Sequence, residues 1–381
     1  MSSNEKQTPS LPTGIVLSGG GARAAYQIGI LRALASTGIL QTENISVIVG
    51  TSVGAINGIV LSGCLGSGLH EAVEAIADVW RERTYRNTFS GHISHTFVRT
   101  LKVAFLRYSS PGPVASSVSI FNPTPLQDRI NQIIADHGNV DIPTLKAVAV
   151  MTTIEGEERL PLLLARTRKR LDQHALDGAN FEVCYLKELQ ARHGLASAAL
   201  PSVLPPVTLD LENRNVRLVD GGICDNHPVD PAVRLGAERI FILDCSGRRW
   251  WFDHYDEPHY TKPTWQVSAV PGSYCLVPEE IVDFHNSKGL GHFLKLSLGR
   301  STKDYIMALG PTWPVFKILK HRLGEELAYE VMSYVTLHPD FAEALLEYGY
   351  NDGMAWIART FAPICEDNCD DKLPTAKPEA A

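Results

Sequence analysis

Two stretches near the N-terminus share one grammar: Gly14-Ile15-Val16-Leu17-Ser18-Gly19-Gly20-Gly21-Ala22-Arg23, and Ile45-Ser46-Val47-Ile48-Val49-Gly50-Thr51-Ser52-Val53-Gly54. Each is a short apolar run of strand-forming residues that breaks at glycine and passes straight into a helical pattern. The first helix is expected over Tyr26 to Leu34 and stops at Gly38; the second is expected over Ser52 to Leu61. Two strand–turn–helix units joined this closely predict a parallel sheet with helices on its faces.

The rest of the chain extends this plan. Leu69 to Arg83 is an amphipathic helix with Val73, Ile76, Ala77 and Trp80 on one face, and Leu126, Ile130, Ile133 and Ile134 mark another. Residues 84–123 are less regular and read as an excursion from the core. Strands are expected at Leu145 to Ile154, at Leu160 to Leu164 beside it, at Leu218-Val219 before Asp220, and at Glu238 to Asp244. Helices are expected over residues 279–298, 302–309, 314–328 and 340–359. The resulting expectation is an α/β fold: three α/β/α layers around a mainly parallel central sheet, with additional C-terminal helices. Residues 1–13 read as a disordered lead, 14–245 as the main α/β domain, and 366–381 as a disordered tail. Residues 246–365 read as an aromatic-rich insertion and helical extension packed on that domain. The aromatic part, 247–275, holds Trp250, Trp251, Phe252, Tyr255, Tyr260 and Trp265, and reads as a lid, a gripping surface or a loop packed on its own rings.

Composition narrows the function. The 381 residues carry a net charge of −7, so no broad basic footprint argues for nucleic acid. The short run Arg166-Thr167-Arg168-Lys169-Arg170 reads as a solvated face. Seven scattered cysteines do not form a disulfide framework, and Cys365 with Cys369 lacks the partners of a zinc set, so no metal site is expected. The N-terminus lacks the apolar core of a signal peptide, and no uncharged apolar stretch is long enough to span a bilayer. The expected location is cytoplasmic, with transient membrane-surface contact left open.

The glycine run Gly19-Gly20-Gly21 opens a helix, so its backbone N–H groups converge on a concavity that attracts negative charge. A dinucleotide pyrophosphate would suit it, because Gly19, Gly21 and Ala24 satisfy G-x-G-x-x-[GA]. An oxyanion would suit it equally. The second strand discriminates. A dinucleotide site needs an acid at its C-terminal end, and here that end is Gly50-Thr51-Ser52, with Glu43 on the wrong side. A serine on a strand-to-helix elbow is a nucleophile's mounting. With 30 glycines in the chain a lone G-x-S-x-G is weak, but an anion loop one βα unit upstream makes the pair strong.

A serine needs a base. His227 stands seven residues after Asp220 in Asp220-Gly221-Gly222-Ile223-Cys224-Asp225-Asn226-His227-Pro228, too close for the two separate loops of a Ser-His-Asp triad. It reads as a polar loop residue. The alternative base is a carboxylate, Asp220, held at a strand end by two glycines; it could serve if desolvated and hydrogen-bonded to the nucleophile.

Gly19-Gly20-Gly21-Ala22-Arg23, Gly50-Thr51-Ser52-Val53-Gly54, Ala196-Ser197-Ala198-Ala199-Leu200-Pro201 and Asp220-Gly221-Gly222 stand in the order found in patatin-like phospholipases. The chain resembles that family from about Thr13 to Cys245, and Phe341 to Gly353 looks like its closing helix. The resemblance implies a Ser–Asp dyad without a catalytic histidine: Ser52 as nucleophile and Asp220 as general base. It implies oxyanion N–H groups from Gly19, Gly20 and Gly21, helped by Val53. It implies that Arg23 binds the substrate phosphate or braces the loop, and that Ala196 to Pro201 shapes the acyl pocket. Ala24 stands where the family has glycine. The implied substrate is a lipid ester, with no cofactor; the alternative is a lipid- or partner-binding module with little or no turnover.

Overall fold

The computed structural model describes residues 11–90, 99, 119–156, 158–211, 214–246, 278–285, 289–298 and 309–361. The first half lays down β1 (Thr13–Leu17), α1 (Ala25–Ser36), β2 (Ile45–Thr51), α2 (Val53–Cys64), α3 (Leu69–Glu82) and α4 (Thr124–Asp136). There follow β3 (Ala147–Ile154), β4 (Pro161–Thr167), β5 (Glu182–Tyr185), α5 (Ala191–Ser197), β6 (Val207–Leu211) and β7 (Arg214–Asp220). The last elements are α6 (Val229–Arg234), β8 (Arg239–Asp244), β9 (Glu280–His285), α7 (Gly291–Ser297), α8 (Trp313–Leu323), α9 (Glu325–Met332) and α10 (Pro339–Phe361).

The strands form one sheet in the order β5-β4-β3-β2-β1-β8-β9, with β6 and β7 branching from β3. Its centre is parallel: β2 with β1 and β3, and β8 with β1 and β9. Every residue of β1 and β2 is buried, as a strand covered on both faces requires. Alternation sorts their side chains into two cores. Ile15, Leu17 and Ile48 pack with α1 to α4, whereas Val16, Val47 and Val49 pack with Val229, Ala232 and Val233 of α6. The result is the three-layer α/β/α arrangement with a mainly parallel sheet.

β3 decides where the site forms. One of its edges carries β4, antiparallel from Ala147↔Thr167 to Thr153↔Pro161. The other edge is shared. β2 covers it in parallel up to Thr51↔Met151, and β7 takes over antiparallel from Thr152↔Asp220. β2 runs toward this point and so does β7, so their last residues face consecutive residues of β3. The chain after Thr51 and the side chain of Asp220 are thereby brought within one rung of each other, about 3.3 Å.

Several expectations are corrected. Residues 279–298 do not form one helix: Glu280–His285 is a strand paired with β8, and Gly291–Ser297 is the helical part among the described residues. The apolar spacing of Ile281, Val282 and Phe284 is ambiguous, and pairing with a buried neighbour settles it. The sheet therefore continues beyond residue 245, and the boundary expected there does not separate two layers. The helix expected over 314–328 is two, broken at Gly324, whose φ of 88° suits glycine. Thr13 belongs to β1, not to the lead. The aromatic stretch 247–275, residues 302–308, the tail and most of the lead lie outside the described residues. Among the described residues no helix is long and apolar enough to cross a membrane.

α10 closes the fold over α1 at glycines. A Cβ on Gly29 would strike the Leu346 carbonyl, and one on Gly349 the Tyr26 carbonyl. Tyr26 then ties the helices by donating to Asp352 at 2.7 Å. Gly349→Val is expected to destabilise the protein by about 2–3 kcal/mol through overpacking. Urea unfolding would measure this, and an unchanged midpoint would mean the helices separate freely.

Candidate active site

Ser52 sits between β2 and α2 as the N-cap of the helix, with φ 54° and ψ −128°. A non-glycine residue at positive φ is strained, of order 1–3 kcal/mol, and persists only where the surroundings hold it. Three contacts do so. The Ser52 N–H donates to Ser197 Oγ at 2.7 Å, and Ser197 Oγ in turn donates to the Met151 carbonyl at 2.5 Å. Thr51 Oγ1 donates to the Asp225 carbonyl at 3.0 Å. Gly54 lets the start of α2 lie on the carbonyls of Leu17 and Ser18, where a Cβ would collide.

Asp220, at the end of β7, accepts a 2.7 Å hydrogen bond from Ser52 Oγ at Oδ2 and another from the Gly222 N–H at Oδ1, also 2.7 Å. Its backbone is pinned: the N–H donates to the Ala199 carbonyl at 3.0 Å, and its carbonyl accepts from Thr153 Oγ1 at 2.9 Å. The residue is only 6% exposed. Burial pushes the carboxyl up to about 6, against the opposing pull of the Ser52 and Gly222 hydrogen bonds. His227 is engaged elsewhere. Its Nε2 lies 3.0 Å from Asp244 Oδ1, which also accepts from Ser18 Oγ and the Ser246 N–H.

The glycine loop faces the same space. Gly20 and Gly21 precede and open a 3-10 turn, so their N–H groups have no intrahelical acceptor, and Val53 is in the same position at the start of α2. Gly19 differs: its N–H is directed at the Asn226 carbonyl, 3.4 Å away, while Asn226 Nδ2 donates to the Gly19 carbonyl at 3.2 Å. Of the three glycines expected to offer donors, Gly19 is thus already engaged. Gly21 has φ 60°, and a Cβ there would overlap the Tyr334 carbonyl, which accepts from the Ala22 N–H at 2.8 Å.

Ser52, Val53, Asp220 and the three glycines line one cavity of about 330 Å³ whose walls are largely apolar, with Ile56, Phe121, Leu126, Leu200 and Leu204 among them. Such a space suits an acyl chain.

A family model described as patatin-like phospholipase matches residues 15–233, more than half the chain. The chain belongs to the patatin-like phospholipase family. Patatin-like phospholipase domain-containing protein 7 of Rattus norvegicus is 29% identical over 234 residues, covering 61% of this chain and 14% of that protein. Its Mus musculus counterpart is 27% identical over 238 residues, again 61% of this chain and 14% of that one. This chain therefore corresponds to a small part of those relatives. Human GIVD cytosolic phospholipase A2 aligns over 92% of this chain and 59% of its own, at 13% identity and TM-score 0.42. VipD from Legionella pneumophila aligns over 92% and 67%, at 12% identity and TM-score 0.34.

In this patatin-like chain Arg23 does not reach the cavity. It is fully buried and ion-paired with Glu330 of α9. Its Nε donates to Ser333 Oγ at 2.7 Å, Nη2 donates to the Glu330 carbonyl at 2.6 Å, and the guanidinium lies 3.6 Å over the Tyr334 ring. The substrate-binding expectation for Arg23 gives way to bracing, because every face of the group is occupied. Residues 330–334, beyond the span matched by the family, thus hold the glycine loop. Nothing local in the sequence marks Ser197, Asn226 or Glu330 as parts of the site: Ser197 stands in Ala196-Ser197-Ala198, which does not say that its hydroxyl turns back to the elbow.

Two outcomes are expected. Ser197→Ala leaves the Ser52 N–H without its acceptor and should lower stability by about 1–3 kcal/mol, read as a shift of the urea midpoint. Asp220→Asn should stabilise the fold at neutral pH. The folded-state pKa is raised from 3.8 to about 6, so the wild type loses stability as pH rises through that window. Relative to the wild type, the asparagine variant should gain nothing below about pH 4 and roughly 2–3 kcal/mol above about pH 6. Urea midpoints of the two proteins across that range would check the sign.

Proposed function

We propose that this chain is a lipid acyl hydrolase that cleaves carboxylic esters through an acyl-Ser52 intermediate, with Asp220 as the only general base. One observation carries the reading: Ser52 Oγ donates at 2.7 Å to a carboxylate whose pKa is raised to about 6, inside an apolar cavity. A carboxylate in water is too weak a base for a serine hydroxyl. Desolvation narrows that gap, and a preformed hydrogen bond lets the proton move as the bond to carbon forms.

Ser52 Oγ attacks the ester carbonyl while its proton passes to Asp220 Oδ2. The charge that develops on the carbonyl oxygen meets the N–H groups of Gly20 and Gly21, with Val53 at the start of α2. Collapse expels the alcohol, which takes the proton from Asp220 and leaves the acyl group on Ser52. Water then attacks the acyl carbon as Asp220 accepts its proton, and Asp220 returns a proton to Ser52 as the fatty acid departs. The acyl chain lies against the apolar wall.

Ser52→Ala and Asp220→Asn should each lower kcat by at least ~10³-fold, whereas His227→Ala should stay within about 5-fold. In the wild type kcat/KM should rise with unit slope to a plateau above about pH 6, as Asp220 ionises. A fluorophosphonate probe should label Ser52. Folded protein that never labels would sink the enzyme reading, and equal damage from His227→Ala and Asp220→Asn would sink the dyad.

A further inference from the structure

The wall of the active-site cavity includes one arginine. Arg83 caps the C-terminal end of α3 and is 7% exposed, yet it lines the same cavity as Ser52 and Asp220. Its guanidinium lies 4.3 Å over the Trp80 ring, and Trp80 is fixed by an Nε1 hydrogen bond to Asn57 Oδ1 at 3.2 Å. Among the described residues no side-chain hydrogen bond or ion pair reaches Arg83. The acids around it are matched to other cations. Glu74 pairs with Arg32, Asp78 with Arg81, and Glu82 with Arg129. Burial pulls the Arg83 pKa down to about 10, with no opposing charge among the described residues to offset it, which leaves the group cationic at neutral pH.

An arginine buried without a counter-charge is costly to the fold, and a planar guanidinium is shaped to grip two oxygens of one anion. The cavity therefore offers three chemistries to one molecule: a dyad for an ester, apolar walls for an acyl chain, and a desolvated cation. A neutral acylglycerol satisfies two of them. A phospholipid or lysophospholipid satisfies all three, because its phosphodiester carries the anionic oxygens.

We propose that Arg83 is the anion-recognition residue of this cavity, that it takes the phosphodiester of a phospholipid or lysophospholipid, and that it sets the preference for these over uncharged lipid esters. The proposal rests on the hydrolase reading for the identity of the ligand, but its binding arm does not require turnover.

Two measurements on the full chain test it. In the first, a lysophosphatidylcholine and a monoacylglycerol of equal chain length are compared as substrates. Arg83→Met should lower kcat/KM for the lysophospholipid about 10- to 100-fold, chiefly through KM, and leave the monoacylglycerol within about 3-fold. Arg83→Lys, which keeps the charge but not the fork, should fall between them. In the second, Ser52→Ala protein with and without Arg83→Met is titrated calorimetrically with dihexanoyl phosphatidylcholine below its micellar concentration, with hexanoate and with inorganic phosphate. The Kd for the phospholipid should rise at least ~10-fold on loss of Arg83, with hexanoate unaffected. Equal phospholipid affinity in the two proteins overturns the proposal, as does an equal loss on both substrates, which would mark Arg83 as wall packing. An effect confined to hexanoate would make it a carboxylate site, and inorganic phosphate binding as tightly as the phospholipid would remove the lipid head group as the source. If no ester is turned over but phospholipid binding still depends on Arg83, the hydrolase reading fails and the Arg83 assignment stands.

Discussion

One edge of β3 is shared by two strands that arrive from opposite directions, and the candidate site depends on that. Thr51↔Met151 ends the pairing with β2, and Thr152↔Asp220 begins the pairing with β7. A strand and its successor on one edge cannot overlap, so their ends must meet. What meets is a residue that leads into a helix and a carboxylate that ends a strand. A slip of one residue in β7 would turn Asp220 to the other face of the sheet. The hydrogen bond between Ser52 and Asp220 is thus a consequence of register.

Around this junction the fold sustains two unfavourable states. Ser52 holds a backbone conformation that a non-glycine residue avoids, and Asp220 is kept from water that would solvate its charge. Both persist because the surroundings are rigid. The strands beneath are buried on both faces, and Ser197 locks the elbow to Met151 of β3. The same strain that lowers stability throws the hydroxyl toward the carboxylate, and the same desolvation makes that carboxylate a better base.

The C-terminal part of the chain takes part in the site's rigidity. Arg23 of the glycine loop is clamped by Glu330, Ser333 and Tyr334, and the Ala22 N–H is held by the Tyr334 carbonyl. β9 completes the edge beside β8, and α10 crosses α1 at glycines. These contacts explain why a loop of three consecutive glycines, which has little conformational preference of its own, keeps its N–H groups in one place.

Much of this was legible in the residues. Short apolar runs without strict alternation, broken at Ser18-Gly19 and at Gly50, announced β1 and β2, because a strand covered on both faces needs no alternation; the Ser52 elbow and the acid ending β7 could be read along the chain too. Other elements could not be read from neighbours in sequence. Glu280–His285 is a strand only because β8 lies beside it, and Gly19's engagement with Asn226 joins positions far apart in the chain. Arg23 and Arg83 show the limit most plainly. Both are arginines at the edge of a helix, and sequence singles out the one beside the glycines. Tertiary packing reversed their prospects: it brought Glu330 to Arg23 and left Arg83 on the cavity wall with, among the described residues, an aromatic ring in place of a counter-charge. Which groups carry a nucleophile's or a base's chemistry follows from residue type and local turn, and is therefore readable along the chain. Which of them face the cavity is a property of the packed molecule, because burial and charge pairing are set by distant parts of the chain.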